Sequence, residues 1–146
     1  MPAAVTTGRA ALAASFRVVR TLWLAEAIVV GIIWLGLPTL LARPEAEGAP
    51  ASLFARIFIA VAAADLGLAW WIKNRAKKVG APPAGGASPV IMGASMVAAT
   101  LALTPGILAA ALYLGFGHVN GHRILSIMSL AGLWVLQPRF DEWTAP

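Results

Sequence analysis

Glu26 and Asp65 are single carboxylates inside otherwise apolar runs, TLWLAEAIVVGIIWLGLPTLLA and SLFARIFIAVAAADLGLAWWI. An ionisable group in such a stretch is costly and needs a partner or a task. If each run is a helix, Glu26 lies roughly 8 Å from its start and Asp65 roughly 10 Å before its end, at 1.5 Å per residue. Antiparallel neighbours would bring the two carboxyls to one level. Ser95 and Ser129 fall at a similar depth in two later runs, so a polar layer of Glu26, Asp65, Ser95 and Ser129 is expected. Two facing carboxylates in low dielectric do not both ionise, and one proton is then shared between them. Such a pair can pass protons or hold a cation. The same residues admit a structural reading: Glu26 reaching Arg20 or headgroups, Asp65 turning toward Lys73, or either acid bonded to Ser95 or Ser129 to fix helix register.

His118 and His122 are the only histidines and stand four apart. On a helix they would share a face, a spacing that metal or haem ligation uses. Asn120-Gly121 between them signals a turn, and two ligands without a carboxylate are too few for zinc. A water-facing loop is expected there, and neither metal nor cofactor. The chain has no cysteine, so disulfides and thiol chemistry are excluded. It holds no phosphate-binding glycine loop and no catalytic triad motif, so an enzyme is not expected.

The elements that must position these residues follow from composition. Of 146 residues 60% are hydrophobic and 12% charged, half the charge content of an ordinary soluble domain. Four runs are long enough to cross the ~30 Å apolar core of a bilayer: about 21–42, 52–72, 90–115 and 123–136. They lack the alternation of barrel strands, and a lipid-exposed backbone must satisfy itself internally. The expected fold is all-α, an antiparallel four-helix membrane bundle over 21–137. Residues 1–20, with Thr7 as a cap before a helix from Gly8, form an interfacial helix or an extension of the first span. A short polar link with Glu45 and Glu47 joins the first two spans, a Pro/Gly/Ala linker around Gly85 the next two, and 138–146 is a polar tail. The apolar core of the first span is long for a cleaved signal and contains Glu26, so an uncleaved anchor is expected.

Net charge is +5. The bases flank apolar runs, so the bilayer rather than nucleic acid is the expected partner. Arg9, Arg17, Arg20, Lys73, Arg75, Lys77, Lys78 and Arg139 fall on one side of an even number of spans, and Arg43, Arg56 and Arg123 on the other. The positive-inside rule makes the first side cytoplasmic, with both termini there, as in a bacterial inner-membrane protein. Trp23, Trp70, Trp71 and Trp134 sit at that same headgroup level as anchors, and Arg56 snorkels from the other end. The KNRAKK stretch could also meet anionic lipid or an acidic partner. Thr104-Pro105-Gly106 should bend the third span, with Thr104 bonding the carbonyl that the proline frees. Small residues recur four apart, as in Ala27/Gly31, Ala60/Ala64, Ala63/Gly67, Ala94/Ala98, Ala98/Ala102 and Ala111/Gly115, and imply packed helices, within the chain or with partner subunits or further copies.

LALTPGILAAALYLGFG (Leu101 to Gly117) resembles the carboxylate-bearing helix of rotor-ring c subunits of ATP synthases, whose doubled members also have four helices. That family's acid is replaced here by Leu103 or Thr104, and its glycine-dense inner helix and polar Arg-Gln-Pro loop are missing. The chain also resembles uncharacterised small four-helix bacterial membrane proteins. Together these features imply a non-catalytic scaffold or accessory subunit of a membrane assembly, set against a proton- or cation-coupled transporter or ring subunit working through Glu26 and Asp65.

Overall fold

In a computed structural model, residues 3–41, 49–79 and 89–139 are described. They form four helices: α1 (Ala3–Leu40), α2 (Ala49–Val79), α3 (Pro89–Phe116) and α4 (Val119–Leu136). Each contains a segment long and apolar enough to cross a membrane, Leu12–Leu40, Pro50–Lys78, Val90–Phe116 and Val119–Leu136. The chain is a multi-pass, all-α membrane protein.

Two helices are longer than composition suggests. α1 begins four residues before Thr7, which is therefore inside the helix and not its cap. α2 continues through the basic stretch to Val79 with Lys77 and Lys78 in its last turn, cations that complement the negative end of the helix dipole. The link with Glu45 and Glu47, the linker around Gly85 and the tail beyond Arg139 lie outside the described residues.

α1 and α2 bury narrow stripes, α3 and α4 broader faces. On α2 the stripe is Ala51, Ala55, Ala62, Ala69 and Ala76, so this helix packs closely with almost no side-chain bulk. On α3 the buried face includes Ser95, Ala98, Ala99, Ala102, Pro105, Ala109, Leu112 and Tyr113. Lipid is as apolar as these side chains, so burial itself drives little association; close van der Waals approach through small residues does. Ala98 and Ala102 take part as their spacing suggests. Ala60, Ala63, Ala64 and Gly67 instead face outward.

The arrangement is a rhombus. α3 and α4 form the central pair, and α1 and α2 each pack against both of them from opposite sides. α1 and α2 scarcely touch, although they are consecutive in the chain. Their exposure follows: 11% and 17% of their span residues are buried, against 44% and 39% for α3 and α4. One cluster joins Val30, Ala69, Ala98, Ala102, Leu133 and Leu136. A second, toward the α3–α4 turn, joins Ala55, Ala62, Ala109, Leu112 and Leu125. A small third one, Leu12, Val19 and Ile91, holds the starts of α1 and α3 together.

The α3–α4 turn corrects the expected GFGHVNGH loop. Asn120-Gly121 is helical, in the first turn of α4. The reversal is made by Gly117, whose φ of 63° is the left-handed conformation that ends helices. Its N–H donates to the Tyr113 carbonyl at 2.8 Å. His118 then caps α4, its Nδ1 accepting from the Gly121 N–H at 2.9 Å. Gly121 serves close approach: a Cβ there would run into Leu112 and into His118 Nδ1. At the other end Pro138 keeps Gln137 out of the α region, with φ −51° and ψ 139°, and α4 stops.

Candidate functional site

Glu26 and Asp65 do not form a pair among the described residues. Glu26 sits between Trp23 and Ala27, which pack on the first cluster; Asp65 precedes Leu66, which packs on the same cluster. The acids thus share a level but belong to α1 and α2, and the α3–α4 pair stands between them. Adjacency in the chain did not become adjacency in space: α2 packs on α3 and α4 and scarcely on α1.

Glu26 faces a small cavity of about 50 Å³ at the α1/α3 seam, lined with it by Val19, Leu22, Met96, Ala99 and Thr100. Its Oε2 is buried and meets no hydrogen-bond partner among the described residues. The two serines are separate in depth. Ser95 Oγ donates to the Ile91 carbonyl one turn back at 2.8 Å. Ser129 Oγ donates across helices to the Ala102 carbonyl at 2.6 Å, seven residues or roughly 10 Å further along α3. Neither serine bonds a carboxylate.

Pro105 lies inside α3. The ring removes an N–H and crowds the carbonyl one turn before it. Ala102 and Pro105 face the bundle interior, so a hydroxyl from α4 can serve the carbonyl row there. Ser129 supplies such a hydroxyl to Ala102; the carbonyl that Pro105 leaves without its N–H is the preceding one, of Leu101.

Two interior polar positions were not expected from the sequence. His122 is fully buried. Its Nδ1 lies 3.1 Å from the Ala109 carbonyl; a carbonyl only accepts, so Nδ1 carries the proton. The imidazole rests against Tyr113 at 5.2 Å between ring centres, and Tyr113 donates its hydroxyl to the Leu41 carbonyl at 2.5 Å, at the end of α1. Ser126 lies one turn further along α4, also fully buried; His122 Nε2 and Ser126 Oγ meet no partner among the described residues. The expectation of a water-facing histidine loop is overturned by this burial. The signal was present: residues 122, 125, 129, 132 and 136 keep one helical face, and the Asn-Gly turn signal outweighed it.

The second missed group is Lys73, only 7% exposed. Its ammonium donates to the carbonyls of Leu136 at 3.2 Å and Gln137 at 2.8 Å. Trp23 Nε1 donates to the Leu133 carbonyl at 2.7 Å. The last four carbonyls of a helix lack intrahelical partners; here one side chain from α1 and one from α2 reach the end of α4. Trp23 is thus turned inward, unlike Trp70, Trp71 and Trp134, which are 58%, 51% and 70% exposed and face outward.

No group of three or more His, Asp or Glu side chains able to hold a metal converges among the described residues. No protein-family model, curated protein or solved structure matches the chain.

Proposed function

We propose that this multi-pass membrane protein is a non-catalytic scaffold or accessory subunit of a membrane assembly in a bacterial inner membrane, with both termini cytoplasmic. One observation carries the reading: the Ser129 hydroxyl, the His122 imidazole, the Trp23 indole and the Lys73 ammonium bond to backbone carbonyls at helix ends and crossings, which fixes helices. The outward small-residue face of α2, with Ala60, Ala64 and Gly67, suits close approach by a partner helix.

Extraction in mild detergent followed by mass measurement tests this. The expected result is a complex heavier than one chain, and a solitary monomer that binds and converts a solute would refute it. Because the chain lacks cysteine, orientation is checked by single substitutions. Lys78→Cys and Arg17→Cys should label from one side of the membrane and Val119→Cys from the other.

A second reading, proton- or cation-coupled transport through Glu26 and Asp65, draws on the unpartnered Glu26 oxygen in its small cavity. The two acids would then act from separate flanks. Flux into vesicles should fall in Glu26→Gln and in Asp65→Asn; flux that is absent, or equal in all three proteins, removes this reading.

A further inference from the structure

Between the end of α2 and the start of α3 runs an apolar groove of about 370 Å³. Ile72, Val90, Ala94 and Val97 form its walls, and Trp71 and Arg75 stand along one edge. The guanidinium lies over the Trp71 ring, 5.3 Å from its centre. Among the described residues it meets no carboxylate. Trp71, Arg75 and Lys78 follow at i, i+4 and i+7 and therefore share one face of α2. Val97 is eight residues into α3, so the groove reaches roughly 12 Å inward from the helix ends. The charged edge lies where headgroups sit and the apolar walls lie where chains begin.

We infer that this groove is a binding site for one anionic glycerophospholipid, with an acyl chain between α2 and α3 and the phosphodiester on Arg75. The charge is complementary: the groove opens beside a segment with four bases, Lys73 to Lys78, and holds no acid of its own. Arg suits this role because its planar fork offers two parallel donors to phosphate oxygens while its face remains on an indole. Basic clefts between membrane helices at a headgroup level select anionic lipids in this manner. The Trp71 ring orients the guanidinium and shields one side of it, which turns a diffuse basic patch into a single oriented contact. Lys78 adds a second positive charge one turn further out.

The test uses the full chain in detergent micelles, titrated with dioleoyl phosphatidylglycerol or dioleoyl phosphatidylcholine and read by native mass spectrometry. One phosphatidylglycerol should be retained at least about tenfold more tightly than phosphatidylcholine, the size of 1.4 kcal/mol. Arg75→Gln should bring the two lipids to equal retention, and Ala94→Trp should lower both by filling the groove. Arg17→Gln removes an exposed cation on α1 and should change nothing. Glycerol 3-phosphate should not displace the lipid. Equal retention of both lipids by the wild type overturns the site, as does an equal loss in Arg17→Gln and Arg75→Gln, which would mean diffuse charge. Displacement by glycerol 3-phosphate overturns the acyl-chain part. Should Ala94→Trp fail to fold, the Arg75→Gln and Arg17→Gln pair decides alone, since both side chains are exposed.

Discussion

The central pair α3–α4 and the flanking helices α1 and α2 solve the same problem of living in lipid in opposite ways. α3 and α4 hold most of the buried polar side chains, Ser95, His122, Ser126 and Ser129. α1 and α2 present long apolar faces outward and touch the centre through thin stripes. Where helices meet each other, polar groups are useful, because a hydroxyl such as that of Ser129 or an imidazole such as that of His122 finds a carbonyl on the neighbouring helix. Where a helix meets lipid, apolar bulk such as Ile28, Ile32 and Leu35 is enough, since lipid asks nothing of its shape. The flanking helices contribute hydrogen bonds at the ends of the bundle, Trp23 and Lys73 to the last turn of α4 and the Leu41 carbonyl to Tyr113.

The sharpest way to break this contrast is to empty a central position and a flanking one. Leu112→Ala or Leu133→Ala should destabilise the bundle by about 2–5 kcal/mol, while Ile32→Ala, 62% exposed, should stay within about 0.5 kcal/mol. Unfolding in mixed micelles compares them, and equal losses would mean that α1 is buried by something other than lipid. Next, Lys73→Met should cost about 1.5–3 kcal/mol, the range for hydrogen bonds to a charged donor. Lys78→Met should change little. Hydrogen exchange should report the Lys73 loss in the last turn of α4 first, and protection there unchanged would exclude Lys73 as its cap.

Glycine offers a third comparison. Gly121→Ala should destabilise by about 1–3 kcal/mol through collision with Leu112 and Ala55. Gly67→Ala, with open space around the new carbon, should stabilise by about 0.5–1 kcal/mol through helix propensity. Thermal unfolding in one detergent ranks the two, and the same sign for both would contradict the assigned packing. A small effect is expected for Ser129→Ala, about 0.6 kcal/mol for one hydrogen bond between membrane helices. Thr100→Ala, whose hydroxyl bonds its own helix at 3.1 Å, should be smaller still; a larger loss for Thr100 would place the polar crossing at the wrong seam.

Much of the fold was legible before any coordinates. Long apolar runs between polar links can only be spanning helices, because lipid offers the backbone no partners. The expected ends of the third and fourth spans, near 115 and 136, lie within a residue of the observed ends at Phe116 and Leu136. The candidate site was less legible. Glu26 and Asp65 stood out as charges in apolar sequence, yet their pairing depended on which helices touch, and hydropathy is silent about that. His122 and Lys73 were hidden by their neighbours: an Asn-Gly dipeptide that reads as a turn, and a basic run that reads as a surface.

The sequence by itself determined that this chain is helical, how many times it can cross a bilayer, and which residues are costly to bury. Those are properties of single segments in contact with a uniform medium. The tertiary structure decided that α3 and α4 form the centre, that the two acids lie on opposite flanks, and that a lysine and a tryptophan close the end of α4. These outcomes depend on how alanine stripes and glycines let particular backbones approach, which is a relation between segments that no one segment encodes.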